Sequence, residues 1–194
     1  MEVRNPRPSL KVVDDAAAET ALVRAAMRGD AQANEQLFHA CAPDLVRWVS
    51  RVVLGSDDAQ DIAQDAFVTA FSQLKSLQQP ESFRGWLRTI ALTHVRRRFR
   101  KQRLLRRLGF SDVEPTEVEA MVSDDAPPEA VAELKQVASL LRRLPTDEAL
   151  ALVLRRVEGY RLEEIAQQLD LSLATVKRRL AAAEAHFAAL QEAP

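Results

Sequence analysis

The stretch Leu162–Leu190, LEEIAQQLDLSLATVKRRLAAAEAHFAAL, decides how the chain is read. Glu163 to Leu169 has the pattern of a short helix, Asp170-Leu171-Ser172 that of a tight turn, and Leu173 to Leu190 that of a second helix capped by the Ser172 hydroxyl. Leu173, Val176, Leu180, Ala183, Phe187 and Leu190 recur at helical spacing and are expected to be buried. Ala174, Thr175, Lys177, Arg178 and Ala181 fall on the other face. Small residues interleaved with a hydroxyl and long cations suit a major groove of DNA. Bulk would hold the backbone off, whereas Lys and Arg reach phosphates or guanine edges. An amphipathic helix with a solvated basic face would show the same residues, so a second basic region carries the decision.

Total charge does not supply it: 27 Lys and Arg stand against 28 Asp and Glu, a net charge of -1. The distribution does. Arg96, Arg97, Arg98, Arg100, Lys101, Arg103, Arg106 and Arg107 form a basic block. Asp112, Glu114, Glu117, Glu119, Asp124, Asp125 and Glu129 follow with no Lys or Arg between them.

Aromatic content is 5%, Ala, Leu and Arg abound, and no long alternating run of Val, Ile or Thr supports a sheet, so the fold class expected is all-α. The single Cys41 excludes an intramolecular disulfide. No apolar run is long enough to span a bilayer and no secretory signal is present, which makes the cytoplasm the expected location. His39, His94 and His186 are isolated, and no Gly-rich phosphate loop or nucleophile-base pair is evident. No metal, cofactor or catalytic activity is therefore expected.

In chain order, residues 1–19 read as a flexible tail with two prolines. Ala21 to Arg28 reads as a helix closed by Gly29, and Asp30 as the cap of a second, which Pro43 should kink or restart before it ends at Gly55. Ser56 should cap a third helix on which Asp57, Asp61, Gln64 and Asp65 form an acidic strip opposite Ala59, Ile62, Ala63, Ala66 and Ala70. A solvated face would show the same acids. After Gln79-Pro80-Glu81-Ser82 a long helix begins near Phe83, with Phe83, Trp86, Leu87, Ile90 and Ala91 on its buried side. Arg88, Leu92, Arg96 and Arg103 project outward, flanked by Arg84 and Arg100, as a track for a phosphate backbone. Leu104, Leu105 and Leu108 return to the buried side. Residues 110–128 read as an acidic linker, and two further helices, around Leu134–Leu144 and Pro145–Val157, lead through Gly159 into the helix-turn-helix. The divisions expected are a tail over 1–19, a helical domain over 20–109, the linker over 110–128 and a second helical domain over 129–194.

Taken together, Asp61-Ile-Ala-Gln64-Asp65-Ala-Phe67, Phe83-Arg84-Gly85-Trp86-Leu87 with Ile90-Ala91, Leu144-Pro145, Glu158-Gly159, Glu164-Ile165-Ala166 and Thr175-Val176-Lys177-Arg178-Arg179-Leu180 resemble the successive signatures of bacterial sigma-70-family factors. The resemblance is to the small, two-domain extracytoplasmic-function group and covers about Ala21 to Leu190. It implies a protein that binds core RNA polymerase and directs initiation at promoters. Asp57, Asp61, Gln64 and Asp65 would then meet the clamp helices of the beta-prime subunit. Ser82, Arg84, Arg88, Thr93, Arg96, Arg97 and Arg100 would handle the minus-10 element, where an unpaired base is captured as the duplex opens. Ser172, Thr175, Lys177, Arg178 and Arg179 would read the minus-35 element while that domain leans on the beta flap. An anti-sigma partner is a further implication, as is an RNA-mimicking role for the acidic linker in the polymerase channel, to which a plain soluble spacer is the alternative.

Four positions depart from the family's pattern. Thr93 and Arg96 replace the usual Asn and Asp, Arg161 stands where Ser or Thr would cap, and Asp170 replaces the turn glycine. The competing reading is a polymerase-independent helix-turn-helix regulator, which leaves the acidic strip and the Trp86 helix without work.

Overall fold

The computed structural model describes residues 10–54, 58–109 and 127–192, without the side chains of 10–15, 106 and 190–192. Eight α-helices occupy these residues: α1 (Leu10–Met27), α2 (Ala31–Val53), α3 (Asp58–Gln73), α4 (Phe83–Arg107), α5 (Pro128–Arg143), α6 (Thr146–Arg156), α7 (Leu162–Leu169) and α8 (Leu173–Glu192). Two 3-10 turns, Leu74–Ser76 and Pro80–Ser82, lead from α3 to α4. No strand occurs among the described residues, so the all-α expectation holds. The expected roles of Ser56 and Asp57, and the acidic linker over 110–126, lie outside the described residues.

Local chemistry accounts for most boundaries. Gly29, at φ +92°, turns the chain after α1, and Asp30 Oδ1 accepts from the amides of Gln32 and Ala33 at 2.9 and 3.1 Å to start α2. Two expectations about helix boundaries need correction. Helix α1 begins at Leu10, so half of the expected tail is helical, in keeping with the alanine-rich run Ala16–Ala18. Pro43 neither ends nor restarts α2, which is continuous from Ala31 to Val53. The ring removes one donor, facing the carbonyl of exposed His39, while Cys41, Leu45, Trp48, Val49 and Val52 bury the next three turns and hold the helix together.

One core runs through both halves of the chain. Trp48, Phe83, Leu87, Leu92 and Val95 from α2 and α4 belong to the same cluster as Leu150 and Leu154 of α6, Ile165 and Leu169 of α7, and Val176 and Leu180 of α8. A second cluster packs α5 against α6 and α8 and takes in Leu54, the left-handed cap of α2 at φ 56°. The expected two domains are thus packed face to face. On α4 this moves Leu92 from the outward row into the core, at 2% exposure, because α6 and α7 cover that face. Conversely, Leu104 and Leu108 stay exposed, where burial was expected.

A polar clip ties α1 and α2 to the start of α4. Arg84 Nε donates to Glu19 Oε2 at 2.8 Å and Arg84 Nη1 to Asp44 Oδ2 at 2.7 Å, while the Cys41 thiol donates to Glu19 Oε2 at 3.7 Å. Burial, and then the Glu19 charge, push the Cys41 thiol up to about 11. Asp44 is held below the usual carboxylate range by hydrogen bonds from Arg47 and then Arg84.

Folding thus favours the neutral thiol, and its contribution is complete below the unfolded value of 9.0 and is lost as pH rises toward about 11. Alkylation of Cys41 by iodoacetamide should accordingly show a pH-rate inflection near 11 in the folded chain and near 9.0 in urea; coincident inflections would refute the burial of the thiol beside Glu19.

Candidate nucleic-acid and protein interfaces

The acidic strip on α3 is exposed as the spacing predicts. Asp61, Gln64 and Asp65 face solvent, while Ala59, Ile62, Ala63, Ala66 and Ala70 are buried behind them. Asp58, at the start of the same helix, has a different task. It accepts from Arg98 Nε at 2.7 Å and Gln102 Nε2 at 3.0 Å, which fastens α3 to α4.

The seven minus-10 candidates divide into two groups. Ser82, Thr93, Arg97 and Arg100 are exposed. The other three arginines are engaged. Arg84 sits in the clip with Glu19 and Asp44. Arg88 lies over the Trp48 ring, 5.4 Å from its centroid, and donates to the Tyr160 hydroxyl at 3.2 Å. Arg96 donates to the Leu169 carbonyl at 3.0 Å and pairs with Asp147 at 2.9 Å. Thr89 joins this seam by donating to Gln168 Oε1 at 3.1 Å.

The partners of this seam were not marked in the sequence. Asp147 and Glu148 look like ordinary first-turn acids of α6, and Glu158 like a residue before a turn glycine. Yet Glu158, with its side chain 7% exposed, accepts from Arg51 Nε and Nη2 at 2.6 and 3.1 Å, a two-toothed pair that raises the Arg51 pKa. Glu148, 5% exposed, lies 2.8 Å from His186 Nδ1. Only an opposed arginine at long sequence range reveals such roles, and spacing along one helix carries no trace of it.

In the helix-turn-helix, Asp170 adopts φ 51° and ψ 52°, the left-handed conformation expected where glycine is usual. Its amide and that of Leu171 close α7 onto the carbonyls of Ala166 and Gln167. Arg161 cannot cap with its side chain, but its own amide donates to Glu164 Oε2 at 2.6 Å, which supplies half of a capping box. Ser172 Oγ accepts from the Thr175 amide at 3.2 Å and lies 2.8 Å from the Thr175 hydroxyl. Lys177 and Arg178 are exposed beside Ala174 and Ala181. Arg179 departs from this set. It is half-buried and turned toward Glu148, 3.7 Å away.

A family model described as ECF sigma factor matches residues 17–192. The chain belongs to the ECF sigma factor family. The RNA polymerase sigma factor NccH of Alcaligenes xylosoxydans xylosoxydans is 32% identical over 182 residues, covering 91% of this chain and 96% of NccH. The ECF RNA polymerase sigma-E factor of Escherichia coli K12 is 32% identical over 168 residues, covering 82% and 86%. Among solved structures, CnrH in complex with the cytosolic domain of CnrY aligns with a TM-score of 0.58 and 26% identity, over 90% of this chain and 97% of that one. This ECF sigma factor accordingly serves promoter-directed initiation by RNA polymerase, and the polymerase-independent regulator is not favoured. Among the described residues no group of three His, Cys, Asp or Glu is placed to hold a metal, and no helix is long and apolar enough to cross a membrane.

The Arg51–Glu158 pair joins the two halves, and removing its cation strands a nearly buried carboxylate. Arg51→Ala should lower stability by about 1–3 kcal/mol, and adding Glu158→Ala should recover part of that loss. Urea denaturation of both variants would measure it, and a single-mutant loss below about 0.5 kcal/mol would contradict the pairing.

Proposed function

We propose that this ECF sigma factor divides its work by sign of charge. Asp61, Gln64 and Asp65, with Asp57 beside them in sequence, dock on the basic clamp helices of the RNA polymerase beta-prime subunit. Lys177 and Arg178, supported by Ser172, Thr175 and Arg179, read the minus-35 element while the second half leans on the beta flap. Ser82, Arg84, Arg88, Thr93, Arg96, Arg97 and Arg100 hold the minus-10 element, with binding coupled to opening of the duplex. The chain acts by binding rather than catalysis, in the cytoplasm. An anti-sigma protein masks it, in line with its similarity to CnrH, which was solved bound to the cytosolic domain of CnrY.

One observation carries this reading: the α3 acids and the α8 cations are exposed without being consumed by each other, so each set is available to an outside partner of opposite sign. The minus-10 arginines are different. Arg88 and Arg96 are held by Tyr160, Leu169 and Asp147, so the two halves must separate before these guanidiniums reach DNA. Free factor should therefore bind promoter DNA poorly, and polymerase shifts the balance by favouring the separated form.

Purified chain mixed with core polymerase should co-migrate with it and support run-off transcription from a cognate promoter. Arg178→Glu should abolish minus-35-dependent initiation and spare core binding. Asp61→Arg with Asp65→Arg should abolish core binding while leaving the fold intact, because both side chains face solvent. Wild-type activity in either variant would remove the corresponding assignment.

A further inference from the structure

Four guanidiniums converge where the end of α4 meets the start of α6. Arg100, Arg103 and Arg107 come from α4 and Arg179 from α8, over a floor formed by Pro145 to Asp147. The groove they line has a volume of about 380 Å³. That lies within the roughly 300–1,000 Å³ of pockets that hold small molecules, and a duplex could not enter it.

Among the described residues these cations are paired loosely or not at all. Elsewhere arginines find carboxylates directly: Arg51 meets Glu158 at 2.6 Å, Arg84 meets Glu19 at 2.6 Å and Arg96 meets Asp147 at 2.9 Å. In the groove the nearest carboxylate oxygens stand 4.0 Å from Arg100 and 3.7 Å from Arg179. Among the described residues no carboxylate pairs with Arg103 or Arg107. Asp147, the carboxylate in the lining, lies within ion-pair range of Arg96 as well, and Arg96 Nε, Asp147 Oδ1 and Arg179 Nε are all buried without a hydrogen-bond partner. Two carboxylates beside four guanidiniums leave an excess of positive charge, and an anion between the arginines would relieve their repulsion.

Geometry selects among anions. Arg100, Arg103 and Arg107 stand at i, i+3 and i+7, one helix face spanning roughly 10 Å at 1.5 Å per residue. A guanidinium fork matches two oxygens of a phosphate, and a row of forks matches phosphates joined in series better than it matches one compact ion. No aromatic ring lines the groove, so nothing there would stack on a base.

We propose that this groove is a binding site for an oligophosphate, either free or as the tail of a nucleotide, and that its ligand holds the two halves of the factor together. Three of its arginines belong to the first half of the chain and the fourth, with the floor, to the second, so the complete site exists only in the packed form. A ligand of that form alone stabilises it by mass action. The regulatory consequence rests on the proposed function above: while the halves stay together, Arg88 and Arg96 remain engaged.

Calorimetric titration of the full chain with sodium tripolyphosphate in metal-free buffer tests the site. Saturable single-site binding that weakens with salt is expected, with at least about tenfold loss of affinity in Arg103→Glu/Arg107→Glu of unchanged circular dichroism. ATP and GTP run in parallel separate the sources: affinity equal to that of tripolyphosphate assigns the free chain of phosphates, and tighter binding of either assigns the nucleotide tail. Binding no tighter than that of sulfate at matched ionic strength would overturn the site, as would indifference to the double substitution. Saturable binding that emerged only after Asp112, Glu114, Glu117, Glu119, Asp124 and Asp125 were neutralised would also overturn it, because the groove would then belong to the chain's own acidic segment. The titration needs neither polymerase nor promoter, so its failure leaves the transcriptional reading untouched. Loss of run-off activity with tripolyphosphate binding intact would do the reverse.

Discussion

Helix α4 has to satisfy two opposed demands, and most of the structure follows from how it does so. One face carries Phe83, Leu87, Ala91, Leu92 and Val95 into a core that draws on both halves of the chain. Along its length it also carries ten Arg or Lys residues, whose charges cannot enter that core uncompensated. Where α6 and α7 close over the helix, each guanidinium at the seam has found an acceptor: a phenol for Arg88, a carbonyl and a carboxylate for Arg96. Beyond the seam, toward Arg107, acceptors among the described residues become fewer and more distant, and an excess of positive charge gathers in the groove beside Pro145.

The elements of this fold were legible because their signals are local. Asp30, Ser172, the left-handed Gly29 and Asp170, and the apolar spacing of α3 all act within one or two turns, and each appears where the sequence puts it; on α8 Val176, Leu180 and Ala183 are buried as expected, while Leu173 and Phe187 are half-buried. Errors arose where a distant element decided the outcome. Pro43 is a helix breaker by its own chemistry, but the burial of Trp48 and its neighbours outweighs one lost hydrogen bond. Leu92 sits among arginines on a helical projection, and only the arrival of α6 and α7 makes that face interior. The exposed Leu104 and Leu108 are the same lesson reversed, since their apolar character promised a cover that the described helices do not supply.

The candidate surfaces divide in the same way. Exposure of Asp61, Gln64, Asp65, Lys177 and Arg178 follows from periodicity alone, because the opposite face of each helix is so evidently apolar. The engagement of Arg84, Arg88, Arg96 and Arg179 was invisible, because their partners Glu19, Tyr160, Asp147 and Glu148 lie far away in sequence. A carboxylate in a first helical turn reads as dipole chemistry whether or not an arginine will later reach it.

The identity of each partner also ranks how readily a guanidinium is released to DNA. Arg88 leaves a neutral phenol at 3.2 Å and an aromatic face, contacts that a phosphate oxygen readily outcompetes. Arg96 leaves one carbonyl but also one carboxylate, so its release exposes Asp147 at the start of α6, where the helix dipole and the nearby Arg100 offset part of the cost. Arg84 is held by two carboxylates on two helices, and freeing it would undo the clip around Cys41. Of these three, separation of the halves need disturb only the first two, together with the Arg51–Glu158 pair. The clip lies wholly within the first half, between α1, α2 and α4, so that half can present Arg88 and Arg96 to a template while Arg84 stays where it is and keeps the start of α4 rigid. Availability along the helix is therefore graded by the strength of each internal acceptor, and the weakest acceptors stand at the seam where the chain has to open.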